Sequence, residues 1–126
     1  MATPLTIKYE FIEAFEKDLK RLLKKFPTLA DDLETAKRNA IELRHLKGMD
    51  NSSIFPISGF CRSEMSICKL KKFACRSLKG RGARSGIRVI YAFYERDFKV
   101  VFIEIYHKSE NKNEDAERIK NYFKTA

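Results

Sequence analysis

The spacing of apolar residues divides the chain into a short strand, two amphipathic helices, a turn-rich stretch, three strands and a last helix. Leu5-Thr6-Ile7-Lys8-Tyr9 alternates apolar and polar side chains, the two-residue period of a short strand. Phe11, Phe15, Leu19, Leu22, Leu23 and Phe26 then recur at helical spacing, with Lys17, Lys20, Arg21 and Lys24 on the other face, and Pro27 ends the run. Thr28-Leu29-Ala30-Asp31 has the form of a variant capping box, with Thr28 accepting from the first free amides of the next helix. Leu29, Leu33, Ala36, Ala40 and Leu43 give that helix a narrow apolar face, and Gly48 stops it. Packed face to face, the two helices make a hairpin.

From Gly48 to Ser66 a surface loop is expected, because Asn51, Ser52, Ser53, Pro56, Ser58 and Gly59 interrupt the apolar positions. Ile67 to Cys75 reads as a strand with lysines on both alternating faces. Ile87 to Tyr94 is apolar on both faces, as in an interior strand, and Glu95-Arg96-Asp97 turns it into Phe98 to Tyr106, so a β-hairpin follows. Asn113 is expected to cap a final helix, with Glu114 and Asp115 at its start, Lys120 and Lys124 at its end, and Ala116, Ile119 and Phe123 towards the sheet. The order is βααβββα. This is an α+β fold, a small antiparallel-rich sheet with an N-terminal helical hairpin and a C-terminal helix, in one domain over residues 1–126.

Charge changes the picture at one place. Lys69, Lys71, Lys72, Arg76, Lys79, Arg81, Arg84 and Arg88 follow one another without an acidic residue between Glu64 and Glu95, in a chain whose net charge is +9. A surface that mixes its signs carries no such block, so this one is suited to an anion, phosphate foremost. Gly80, Gly82 and Gly86 separate a basic strand, a basic loop and the apolar strand that carries Arg88. Lys69 and Lys71 share one strand face.

The rest of the composition narrows the class. A hydrophobic fraction of 44% with charges mixed outside the block supports a folded core. No run approaches the roughly 18 apolar residues of a membrane span, and Met1 to Leu5 lacks the features of a signal peptide, so a cytoplasmic protein with no membrane partner is expected. Cys61, Cys68 and Cys75 lie seven apart with no CxxC pair, which suits reduced thiols used as small hydrophobes. His45 and His107 do not suggest a shared metal site, and no cofactor is expected.

Three stretches, FEKDLKRLLKKFP, ICKLK…GARSGIRVIYAF and VVFIEIYHKSENKNEDAERI, resemble the RelE/ParE toxin superfamily, with SGIRVIY followed by IEIYHK as the specific part. The resemblance implies a small sheet cradled by two N-terminal helices and a toxin of a type II toxin-antitoxin system, neutralised by a cognate antitoxin. Members similar to RelE cut messenger RNA on the ribosome and inhibit translation; members similar to ParE poison DNA gyrase. Carried onto this chain, it makes Lys71 the general base, in a nearly carboxylate-free site where neighbouring cations disfavour its charged form. Arg88 becomes the fork that grips phosphate oxygens. Where RelE-like enzymes place a basic pair with an arginine acting as the acid and then a stacking tyrosine, this chain has His107-Lys108-Ser109 and Asn113-Glu114-Asp115. Either His107 or Lys108 then supplies the proton, and Tyr106 or Tyr122 substitutes as the stacking platform.

The resulting expectation is a metal-independent endoribonuclease with Lys71, Arg88, His107 and Lys108 in catalysis and Lys69, Lys72, Arg76, Lys79, Arg81 and Arg84 on the RNA. The alternatives are a non-enzymatic gyrase inhibitor or an inactive antitoxin-binding module. Simpler roles stand beside these. Lys69, Lys71 and Lys72 also suit an edge strand guarded against aggregation, Arg81 and Arg84 suit solvent or antitoxin contact, and His107 suits a strand-end polar residue.

Overall fold

The structure, a computed structural model, describes residues 6–49, 52–78 and 84–126. Strand β1 (Lys8–Phe11) leads into α1 (Glu13–Leu23), and after Pro27 comes α2 (Leu29–Ala36). Helix α2 continues through a π-helical stretch, Lys37–Glu42, into the single turn α3 (Leu43–His45). The wider π turn lets the adjacent residues Ala40 and Ile41 both face the core. Gly48, at φ +66°, ends the run, and the amides of Gly48 and Met49 return to the carbonyls of Arg44 and Leu43.

Four strands follow, β2 (Ile54–Cys61), β3 (Met65–Leu70), β4 (Ile87–Tyr94) and β5 (Lys99–His107), and then α4 (Ala116–Thr125). The sheet order is β1-β5-β4-β3-β2, with β1 parallel to β5 and every other neighbouring pair antiparallel. The helical hairpin, the β4–β5 hairpin and the last helix are where the residue pattern puts them, except that Phe11, counted in the first helix's stripe, ends β1 and is exposed.

The stretch expected as a loop contains β2, so four strands rather than three follow the helices. Its turn residues are those an edge strand tolerates. Pro56 needs no amide partner on the open side, and Gly59 takes φ +88° where the pairing with β3 shifts between Pro56 and Cys61. Ile54, Phe55, Ile57 and Phe60 supply the strand propensity. With β2 at the edge, β3 is interior, which removes the edge-guarding role for Lys69; β3 also ends at Leu70, well before Cys75.

Both faces of the sheet are covered. Phe15, Leu22, Leu29, Leu33 and Ile41 pack on Leu70, Val89, Tyr91, Val100 and Phe102, whereas Ile119 of α4 packs on Met65, Ile67, Ile90, Ala92, Val101 and Ile103. Each of the buried Leu, Ile, Val, Phe and Met side chains contributes about 1.5–3 kcal/mol. Two capping expectations are corrected. The Thr28 hydroxyl does not cap α2; it donates to Asp32 at 2.7 Å and accepts from the Ser77 amide at 2.9 Å. Helix α4 is capped by Asp115, which accepts from the Arg118 amide at 3.1 Å, and not by Asn113, while Ala116 is exposed.

One buried and one half-buried polar group tie the helical layer down. Asp32, 3% exposed, accepts from Thr28 Oγ1 and from the Arg76 amide and Nε at 3.0 Å, which clips the segment after β3 to α2. Burial acts to raise its pKa, yet the hydrogen bonds from Thr28 and Arg76 outweigh it and hold the carboxyl below its ordinary value. His45 stacks on Phe93 with ring centroids 3.8 Å apart, and its Nε2 lies 2.7 Å from the Tyr91 hydroxyl. Burial, helped by Arg44, pushes the imidazole down to about 4.

Both groups predict acid sensitivity, at different pH. Between the ordinary histidine value of 6.5 and about 4, the unfolded chain takes up a proton on His45 that the folded chain refuses. Urea midpoints of the wild type therefore fall across that interval, and His45→Gln flattens that limb; an unchanged limb in the variant places its origin elsewhere. Asp32 stabilises the fold above 3.8 and loses that contribution as pH falls further. Asp32→Asn, which presents amide hydrogens to existing donors, lowers unfolding stability at neutral pH by about 1–3 kcal/mol in the same measurement.

Candidate functional site

Strand alternation and pairing decide which side chains meet. Phe55 pairs with Lys69, Lys69 with Ile90, and Arg88 with Tyr106, so these side chains share the face on which α4 packs. Helix α4 covers one end of that face through Ile119, Tyr122 and Phe123. The other end carries Phe55, Lys71 and Lys108, all exposed, and Arg88, half-buried.

Main-chain bonds place these groups. The Lys71 amide donates to the Ser53 carbonyl at 2.8 Å, extending the β2–β3 ladder by one residue. Arg88 Nη1 donates to the Lys71 carbonyl at 2.8 Å, which aims the guanidinium along the strand ends. Lys71 Nζ stands 4.9 Å from the centroid of the Phe55 ring. On the far side, the Lys108 amide donates to the Gly86 carbonyl at 2.9 Å. Gly86 has φ +84°, and a Cβ there would lie 3.2 Å from both His107 Nε2 and Lys108 Cγ, so only glycine lets the two segments approach this closely.

Lys69 shares the face but not the open end. Its Nζ is 2.7 Å from Glu114 Oε1, with the two side chains 14% and 23% exposed. Burial works against the ammonium, and Glu114 and Tyr106 together more than offset it, so the Lys69 pKa rises. Burial likewise acts to raise Glu114, but Lys69, with a smaller part from Lys71, holds it below the usual carboxylate range. The flank is therefore not carboxylate-free. Glu104 accepts from the Asp115 amide at 2.8 Å, and Arg118 Nη1 reaches Asp18 at 2.6 Å, beside a cleft of about 260 Å³. Buried Glu104 has its pKa raised by desolvation.

The other expected site residues are dispersed. Arg76 turns to Asp32 and Asp31, and Lys72 lines a separate cleft of about 220 Å³ against α2 with Asn39 and Ser53. Arg84 is exposed and bridges Phe73 through the backbone. Lys79 and Arg81 lie outside the described residues. Both nitrogens of His107 are engaged: Nε2 is 2.9 Å from the Ser85 carbonyl, which can only accept, so this nitrogen carries the hydrogen. Nδ1 accepts from the Ser109 amide at 3.1 Å, and the ring stacks on Phe26.

Of the two tyrosines expected to offer a stacking surface, Tyr106 is buried, and Tyr122 packs in the α4 core with its hydroxyl on Tyr94. The aromatic ring that reaches solvent beside the cations is Phe55, 42% exposed. It was hidden from sequence because it lies in the stretch read as a loop. Its signal was the apolar Ile54-Phe55 pair just before Pro56.

Among the described residues, no group of three or more His, Cys, Asp or Glu could hold a metal ion, the three cysteines are free, and no helix is long and apolar enough to cross a membrane. No family model matches the chain. No curated protein matches its sequence. Among solved structures, the fold is similar to a chain of the archaeal RelE–RelB complex from Pyrococcus horikoshii OT3, with a TM-score of 0.53 at 10% identity, over 82% of this chain and 97% of that one. A conserved hypothetical protein of Helicobacter pylori, HP0892, aligns with a TM-score of 0.45 at 16% identity, over 83% of this chain and 98% of that one. With its mixed five-stranded sheet, paired N-terminal helices and C-terminal helix, the chain has a RelE-like fold.

Proposed function

We propose that the protein is the toxin of a type II toxin-antitoxin pair and acts as an endoribonuclease on messenger RNA at the ribosome. The observation that carries this reading is the grouping of Lys71 and Arg88 at the uncovered end of one sheet face, with exposed Lys108 just past the end of the neighbouring strand β5. Cations spaced along strand ends suit a phosphodiester backbone, and the half-buried guanidinium, oriented by a carbonyl rather than a carboxylate, keeps its charge for a phosphate. The RelE-like fold adds support, and the structure it resembles is a RelE–RelB complex, in keeping with an antitoxin partner for this chain.

In the proposed reaction the RNA 2′-oxygen attacks the adjacent phosphorus, the bond to the 5′-oxygen breaks, and the products are a 2′,3′-cyclic phosphate and a free 5′-hydroxyl. Lys71 takes the 2′-hydroxyl proton as the general base. Arg88 holds the non-bridging oxygens as charge builds on them, and Lys108 gives a proton to the departing 5′-oxygen. His107, occupied at both nitrogens, serves by holding the β5 end against Ser85 and Gly86. Lys69, screened by Glu114, sets the boundary of the site, and Arg84 is available to the RNA strand beyond it.

Wild-type protein added to a cell-free translation system stops synthesis and leaves cut transcripts. Lys71→Ala and Arg88→Ala, each with unchanged urea midpoints, reduce cleavage by about 10²-fold or more. Folded variants with full activity overturn the assignment, and translation that continues while DNA gyrase supercoiling stalls replaces it with the gyrase reading. Charge is tested separately. Glu114→Gln removes a negative charge beside Lys69 and Lys71 and tightens binding of a short single-stranded RNA at low salt. Unaltered or weaker binding in that variant puts the RNA elsewhere.

A further inference from the structure

We infer that Phe55, on the edge strand β2, is a stacking surface for one unpaired base of the RNA whose phosphates lie on Lys71 and Arg88. The inference rests on the RNA-cleaving reading and adds to it a contact with the base. Phe55 is one of three large hydrophobic side chains exposed among the described residues, with Phe11 and Met49, and it lies on the same face as Lys71 and Arg88. A solvent-facing ring at a sheet edge costs stability and invites aggregation unless something covers it.

The geometry around the ring specifies the occupant. Lys71 Nζ, 4.9 Å from the ring centroid, fixes one cation within a nucleotide's reach of the ring. Phe55 is tied to that cation twice over, through its pairing with Lys69 and through the Ser53 carbonyl to Lys71 amide bond. Arg88 joins the same unit through the Lys71 carbonyl. A ring open to solvent with one cation beside it, and a second cation held on that lysine's carbonyl, matches a nucleotide, which offers a flat π surface and a negative phosphate a short distance apart. Every base has such a surface, so the contact selects for unpaired RNA without selecting a base. A duplex hides its bases and cannot make it.

Tyr106 and Tyr122 cannot take this place, because one is buried and the other is tied into the α4 core. The site thus draws its aromatic surface from β2, two strands away from β4 and across the lysine strand from Arg88. Pro56 beside Phe55 limits pairing of another strand at this edge, which leaves the ring accessible.

Stacking and phosphate contact separate by salt, because counterions are released from phosphates and not from bases. Binding of a single-stranded RNA oligonucleotide carrying one 2-aminopurine is followed by fluorescence from low to physiological salt. Phe55→Ala and Phe55→Leu are expected to weaken binding by about 10-fold at every salt concentration and to abolish the quenching of 2-aminopurine, while Phe55→Trp retains both. Lys71→Ala and Arg88→Ala instead flatten the salt dependence, each by about one phosphate contact. Wild-type affinity in Phe55→Leu, or unchanged quenching in Phe55→Ala, overturns the stacking role and leaves the ring as a protein contact, while the lysine and arginine results still stand. Wild-type protein with no salt-dependent RNA binding overturns the cleavage reading as well.

Discussion

Burial of β4 and β5 on both faces is the constraint from which the rest of the structure follows. Their sequences, IRVIYAFY and KVVFIEIYH, leave little room for charge in the interior of the sheet, so polar side chains collect at strand ends or are matched one by one. Helix α4, with 10 residues, is about 15 Å long, whereas β5, with 9, extends about 30 Å, so one helix covers only part of the second face. The uncovered part is where Phe55, Lys71 and Arg88 are linked, with Lys108 at the end of β5. Where the helix stops, the charged surface begins.

A one-signed run in the sequence is not a one-signed surface in space. Lys69 finds Glu114 and Arg76 finds Asp31 and Asp32, partners about 45 positions away that no local reading of charge connects. The two pairings differ in weight. Arg76 is largely exposed, so its contact with exposed Asp31 is screened by solvent, and what matters there is the buried Asp32 carboxylate that needs its donors. Lys69 and Glu114 are both shielded, so their pairing removes a cation from the open surface and draws the segment before α4 to β3. The field offered to an anion is narrower than the run of lysines and arginines implies.

What the sequence disclosed follows the same division. The β4–β5 hairpin and α1 were legible because their apolar periods are uninterrupted, and the sharing of one face by Lys69 and Lys71 follows from strand alternation alone. Strand β2 was not legible, because Pro56, Ser58 and Gly59 are turn formers in isolation and become edge-strand residues only when β3 supplies the pairing. Phe55 was lost with it. The caps at Thr28 and Asn113 failed because a hydroxyl or amide near a helix start can bond either to that helix or to a neighbouring segment, and packing chooses. His107 illustrates a further limit. An imidazole is a common proton shuttle, but Ser85 and Ser109 occupy both nitrogens of this one, and neither bond can be read from spacing.

The neutral backbone positions the proposed site, and that choice has an electrostatic consequence. A carboxylate holding Arg88 would fix the guanidinium and cancel most of its attraction for a phosphate. The Lys71 carbonyl fixes it through a dipole and leaves the full charge in place. The same carbonyl belongs to the residue whose amide is bound to Ser53 and whose ammonium stands over Phe55, so edge strand, lysine and arginine are linked through one peptide segment. Lys69 and Arg76, fixed by carboxylates, are held as firmly but have little charge left to offer. The distinction between a cation that holds the fold and one that is available to a ligand is set here by whether its partner is an anion or a carbonyl.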